Sequence, residues 1–73
     1  MGKGYNLKRV RTQNGYSQLE IAELLNTTQQ QYSKYETGAQ ELPARHIIAL
    51  SKFYKVPSDI LLGLEIKEEK EKL

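Results

Sequence analysis

The sequence predicts an all-α domain made of five short helices. Apolar residues recur at helical spacing in several segments, and most of these segments are bounded by a residue that starts or stops helices. No run of alternating β-branched residues indicates a strand. We predict one compact unit over residues 1–64 and a charged tail over residues 65–73, because 73 residues suffice for a single small core.

The first helix is predicted over about residues 5–13. Leu7 and Val10 lie three positions apart among basic residues, as on a short amphipathic helix with a basic outer face. Asn14 and Gly15 follow, and both tolerate the backbone conformations that end a helix.

The second helix is predicted to begin after Ser17. Ser17 and Glu20 have the spacing of a capping box, in which each side chain bonds the other residue's backbone N–H. Ala22 and Leu25 share the inner face, and Ala22 is small enough for another helix to approach closely. Asn26 tolerates a left-handed conformation and can therefore make the sharp turn before a third helix.

The third helix is predicted between Thr28 and Gly38. Thr28 and Gln31 repeat the capping-box spacing, and Tyr32 and Tyr35 form an inner face. The opposite face is polar and free of acidic residues: Gln29, Gln30, Ser33, Lys34 and Thr37. Two short helices joined by a tight turn, with a polar outer face on the second, are typical of a helix-turn-helix motif. A small helical bundle whose polar face only contacts solvent has the same pattern.

The last two helices are predicted over residues 43–54 and 57–62. Pro43 suits the first position of a helix, and Ile60 and Leu61 are expected to point inward from the last one. Lys55 stands where a left-handed residue would end the fourth helix.

The composition excludes several classes of function. The chain has no cysteine, so a disulfide framework, a thiolate metal site and a thiol nucleophile are excluded. No apolar run approaches the length of a membrane span. We find no nucleophile beside a base, no glycine-rich phosphate loop and no cluster of metal ligands, and a single histidine, His46, is not a metal site. We therefore expect a cytoplasmic protein that is not an enzyme and needs neither metal nor cofactor.

The chain from Leu7 to Gly63 resembles the Cro/repressor-type helix-turn-helix family, also called the XRE (xenobiotic response element) family. It is similar to lambdoid phage repressors and to small regulators of Gram-positive bacteria and their phages. The resemblance rests on residues that fall in the family's order and spacing: Arg11, Ser17, Gln18, Ala22, Leu25, Thr27, Thr28, Gln29, Gln30, Tyr35, Glu36, Thr37, Gly38, Val56, Ile60, Leu61, Leu62 and Gly63.

The resemblance implies a DNA-binding regulator whose third helix enters the major groove. It assigns base readout to Gln29, Gln30, Ser33 and Lys34. A glutamine amide matches the N6 and N7 groups of adenine, and a lysine can donate to the acceptors of guanine.

The resemblance also implies contacts that do not read bases. It assigns phosphate contacts to Gln18, Thr28 and the backbone near Gly38. It identifies Arg11 and Glu36 as a structural ion pair.

The implied partner is double-stranded DNA with a palindromic operator, bound by a homodimeric repressor encoded by a bacterium or a phage. One departure from the family bears on affinity, because the loop over residues 39–42 contains Glu41 and no basic residue. We therefore expect weak binding by the monomer and a shallow salt dependence.

An alternative function remains open at this point. Leu19 and Leu24 occupy positions where the family is commonly polar. If these leucines bind another protein, the chain is an interaction module, such as an antirepressor or an antitoxin-like partner, that keeps the fold without reading DNA.

Overall fold

The computed structural model describes residues 5–63, which form five α-helices joined by short turns. In chain order the helices are α1 (Leu7–Gln13), α2 (Gln18–Leu24), α3 (Gln29–Thr37), α4 (Ala44–Tyr54) and α5 (Ser58–Leu62). These residues contain no strand, so the predicted all-α class is confirmed. The charged tail predicted over residues 65–73, and with it the domain boundary at residue 64, lies outside the described residues.

Side-chain caps begin the two central helices. The Ser17 hydroxyl accepts a hydrogen bond from the Glu20 N–H at 3.0 Å, and the Glu20 carboxylate accepts one from the Ser17 N–H at 2.8 Å. This is the full capping box that the sequence predicts. At the start of α3 the Thr28 hydroxyl accepts a hydrogen bond from the Gln31 N–H at 3.0 Å. This is one of the two hydrogen bonds of the predicted capping box, and it is the one found among the described residues.

The other helix boundaries differ slightly from the predictions. Helix α1 begins at Leu7, two residues later than expected. Pro43 and Pro57 are the N-cap residues of α4 and α5, with extended backbones, and so precede the first helical residue in each case.

Within residues 5–63, two residues other than glycine have left-handed backbones, and each lies where a helix ends or turns into the next one. Asn26 has φ 61° in the turn between α2 and α3, and Lys55 has φ 61° just after α4. Both positions agree with the sequence-based expectation of a left-handed turn. Asparagine tolerates this conformation well, whereas lysine adopts it at an energetic cost.

Among the described residues, ten hydrophobic side chains with almost no exposed surface form the core. They are Leu7, Val10, Ile21, Ala22, Leu25, Tyr32, Tyr35, Leu42, Leu50 and Leu61. Helix α2 packs against α3, α4 packs against α5, and α1 contacts both α3 and α5. Asn6 ties the start of α1 to α5, because its N–H donates to the Leu61 carbonyl at 2.9 Å and its side-chain amide donates to the Ile60 carbonyl at 2.8 Å.

The prediction that Ile60 points inward is wrong. The Ile60 side chain is 46% exposed, whereas Leu61 is fully buried. Adjacent residues on an α-helix point about 100° apart, so the five-residue α5 presents only one of the two to the core.

Candidate nucleic-acid interface

Helices α2 and α3 are joined by a short turn that lets them pack against each other. The turn contains the left-handed Asn26, and the Thr27 N–H donates to the Ala22 carbonyl at 2.9 Å. On α3, Tyr32 and Tyr35 are buried and face the core. Their burial fixes the orientation of α3 and leaves its opposite side in solvent.

An open groove runs along the solvent side of α3. Four of its five lining residues come from α3 and the fifth is the first residue of α2: Gln29, Gln30, Ser33, Lys34 and Gln18. The side chains of Gln29, Gln30 and Lys34 are exposed, and Ser33 is partly buried. The structure thus brings together the four residues assigned to base readout and one of those assigned to phosphate. The groove offers amide, hydroxyl and ammonium groups and no carboxylate.

Behind this groove, Arg11 and Glu36 form an ion pair between α1 and α3. The Arg11 Nε and a Glu36 carboxylate oxygen are 2.6 Å apart, and the second oxygen accepts from Arg11 Nη2 at 3.2 Å. Only 9% of the arginine side chain and 4% of the glutamate side chain are exposed. Arg11 also donates to the Tyr16 carbonyl at 2.9 Å, so its guanidinium reaches the segment before α2 as well.

Gln18 connects this ion pair to the groove. Its side-chain N–H donates to the Glu36 carboxylate at 2.9 Å. Its carbonyl oxygen lies 3.4 Å from the side-chain nitrogen of Gln29, which makes a long hydrogen bond. The family resemblance assigns Gln18 only to a phosphate contact, and nothing in the sequence indicates a contact between Gln18 and a residue 18 positions further along the chain.

The surroundings of Glu36 keep it ionised. Burial by itself would raise the pKa of Glu36, but hydrogen bonds from Arg11 and Gln18 outweigh burial and leave the pKa below its ordinary value. Burial raises the pKa of Tyr32, and the adjacent Glu36 carboxylate raises it further. The Tyr32 hydroxyl is buried and has no hydrogen-bond partner among the described residues. Sequence reasoning missed this hydroxyl, because a tyrosine at a core position reads simply as apolar.

The remaining residues assigned to phosphate already make internal hydrogen bonds. The Thr28 hydroxyl accepts from Gln31 and still has its own proton to donate. The Gly38 N–H donates to the Tyr35 carbonyl at 3.3 Å, and the Gln40 N–H donates to the Lys34 carbonyl at 3.2 Å. The phosphate contacts of Thr28 and Gly38 stay predictions.

Three further observations on the described residues concern possible metal ligands, the surroundings of His46 and the length of the helices. No group of three or more acidic, histidine or cysteine side chains within residues 5–63 could hold a metal ion. His46 is buried, and its ring packs against Tyr35 with centroids 5.6 Å apart. None of the described helices is both long and apolar enough to cross a membrane.

The paired helices α2 and α3, with the outer face of α3 free, define a helix-turn-helix domain. The chain belongs to the helix-turn-helix family, whose match covers residues 7–61. The resemblance to XRE-type regulators is thereby confirmed.

Two curated relatives come from Bacillus subtilis (strain 168). The chain is 42% identical over 59 residues to the SPbeta prophage-derived HTH-type transcriptional regulator YonR, across 81% of this chain and 55% of that protein. It is 38% identical over 63 residues to the HTH-type transcriptional regulator ImmR, across 86% of this chain and 50% of that protein. The chain therefore spans about half the length of these curated relatives. Their names agree with the prediction that the protein is not an enzyme.

A solved structure shares the fold. The crystal structure of a transcriptional regulator from Listeria innocua superposes with a TM-score of 0.74 over 89% of this chain and 66% of that one, at 24% sequence identity. At this identity the likeness supports the five-helix architecture and nothing further.

Proposed function

We propose that the protein is a sequence-specific DNA-binding transcriptional repressor that reads the major groove with α3. The observation that carries this proposal is the acid-free groove lined by Gln18, Gln29, Gln30, Ser33 and Lys34 on the solvent side of α3. Membership of the helix-turn-helix family and the names of the two Bacillus relatives support it.

The proposed contacts follow from the chemistry of the groove. The amides of Gln29 and Gln30 each offer a donor beside an acceptor, which matches the major-groove edge of adenine. Lys34 donates to N7 and O6 of guanine, and Ser33 contacts a neighbouring base edge. Gln18, Thr28 and the backbone near Gly38 contact phosphates and set the position of α3 without reading sequence.

We further propose that two copies bind one palindromic operator. A single α3 spans few base pairs, so pairing on a two-fold symmetric site, with half-sites about one helical turn apart, supplies the missing specificity.

The test is enrichment of short duplexes from a random library by the purified protein at about 0.1 M salt. We expect a palindromic motif that a Gln29→Ala, Gln30→Ala double variant no longer selects. A Gln13→Ala variant is the control, because Gln13 is exposed at the end of α1 and does not line the groove. If the folded wild-type protein enriches no motif, the proposed function is wrong.

One observation favours a second candidate, a module that binds another protein. Leu19 is 49% exposed and Leu24 is 45% exposed. Salt separates the two candidates: DNA binding weakens as salt rises, although the acidic loop after α3 keeps the slope shallow, whereas contact between apolar surfaces does not weaken.

A further inference from the structure

The Glu36 side chain is buried behind the helix-turn-helix, yet a chain of hydrogen bonds connects it to the groove on the solvent side of α3. The chain runs from the Glu36 carboxylate to the Gln18 amide at 2.9 Å, and from Gln18 to the Gln29 amide at 3.4 Å. Glu36 itself is almost fully covered, with 4% of its side chain exposed, whereas Gln29 is exposed on the outer face of α3.

This chain of hydrogen bonds has a direction, because a carboxylate can only accept hydrogen bonds whereas a glutamine amide can both donate and accept them. An ionised carboxylate only accepts hydrogen bonds, so Gln18 must present its NH₂ group to Glu36. The Gln18 carbonyl oxygen then faces the other way, towards Gln29. Gln29 must in turn present its own NH₂ group to that oxygen. One N–H of Gln29 is thereby used, while its second N–H and its carbonyl oxygen remain free.

We infer that Glu36 is a positioning residue for base recognition, since it fixes through Gln18 which way the Gln29 amide faces. The inference rests on the proposed function. In the fixed orientation the free N–H of Gln29 donates to N7 and its oxygen accepts from the amino group at position 6, which is the pattern of adenine. Guanine presents an acceptor at position 6, which repels the Gln29 oxygen. The buried carboxylate thus favours adenine over guanine at a base that it does not touch.

The test measures the preference for adenine over guanine at the operator position that Gln29→Ala ceases to read. Glu36→Gln keeps the size of the side chain but replaces the carboxylate with an amide, which can face Gln18 with either its oxygen or its nitrogen. We expect the preference to fall about fivefold or more in this variant. Gln18→Met, which removes the middle of the chain, should lower it to the same extent. The double variant should show no further loss, because both changes break the same chain.

Arg11→Lys is the matched control for a merely structural effect. It weakens the same ion pair and lowers stability, but it leaves the Glu36 carboxylate to orient Gln18. We expect its melting temperature to fall while its preference for adenine persists. Melting curves of all five variants, including Gln29→Ala and the double variant, confirm that each is folded at the temperature of the binding assay.

The outcomes separate this inference from the proposed function. If the wild type prefers adenine and Glu36→Gln keeps that preference, the inference is overturned and the proposed function stands. The inference is also overturned if Arg11→Lys loses the preference as fully as Glu36→Gln, because general loosening then explains both. If the wild type prefers no duplex, the proposed function fails and the inference fails with it.

Discussion

Arg11 is a single residue that holds three parts of the chain together. Its guanidinium extends from α1 to the Glu36 carboxylate on α3 and to the Tyr16 carbonyl just before α2. Because the side chains of Arg11 and Glu36 are both nearly buried, neither charge has water as a substitute partner. Each of the two buried charges compensates the other, so removing one of them leaves an uncompensated buried charge and lowers stability.

We predict that Arg11→Ala destabilises the protein by about 3–5 kcal/mol, because it leaves the Glu36 carboxylate buried without its cation. Thermal or denaturant unfolding measures the change. Arg9→Ala is the control, since Arg9 lies on the same helix and is exposed, and we expect a change within about 0.5 kcal/mol there. Equal losses in the two variants would contradict the structural role of the ion pair.

The lowered pKa of Glu36 predicts a loss of stability in acid. Because the pKa is lower in the folded protein than in the unfolded chain, the unfolded chain binds the proton more readily. The stabilisation is therefore complete above the ordinary carboxyl pKa of about 4.3 and is lost as the pH falls through the folded-state pKa. Unfolding measured from pH 6 downward, at roughly half-unit steps, should show a shallower acid limb for Glu36→Gln than for the wild type. Identical slopes would contradict the prediction.

At the scale of the helices, local chemistry explains why most boundaries could be predicted. The capping box of Ser17 and Glu20 specifies the start of α2 within four consecutive residues. Asn26 indicates the following turn, because asparagine tolerates the left-handed backbone conformation. The inward direction of Ile60 could not be predicted reliably, because a five-residue helix contains too few positions to define an apolar face.

The candidate site could be predicted only in part, because some of its contacts join residues that are distant in the sequence. The outer face of α3 follows from helical spacing, whereas the contact of Gln18 with Glu36 depends on how α2 and α3 are packed. The exposed aromatic contact between Tyr16 and Phe53, with centroids 5.2 Å apart, also joins distant segments and has no local signal.

The left-handed end of α4 yields a prediction for Lys55→Gly. Lys55 has φ 61° and ψ 45°, a conformation that costs a residue with a β-carbon more than it costs glycine. Glycine also gives the unfolded chain more freedom, which offsets part of this advantage, so we expect Lys55→Gly to be neutral or to raise stability by up to about 1 kcal/mol. Lys52→Gly is the control in the helical part of α4, where an exposed glycine should cost about 1 kcal/mol. A loss above about 1 kcal/mol in Lys55→Gly would contradict the prediction.

At the scale of the whole molecule, charge is distributed unevenly around α3. The groove contains the cation of Lys34 and no acid, but the loop that follows α3 contains the exposed Glu41 and no basic residue. If α3 lies in the major groove as proposed, the segments at its ends approach the phosphates most closely. An acidic side chain in that loop lowers affinity for any DNA sequence and reduces the number of counterions released.

We therefore predict that Glu41→Lys strengthens DNA binding and steepens its salt dependence. The substitution places one cation near a phosphate, so the slope of log K against log salt should become steeper by about 0.9 for each bound copy. Binding to the enriched duplex, measured from about 0.05 to 0.2 M salt, gives both affinity and slope. Asp59→Lys is the matched control, because it makes the same change of charge on α5, which packs against α1 and α4. A cation that acts through a local phosphate contact changes the slope in Glu41→Lys alone, whereas one that acts only through net charge changes both variants equally. Equal slopes in the two variants would place the loop away from the phosphates and contradict the proposed orientation of α3 on DNA.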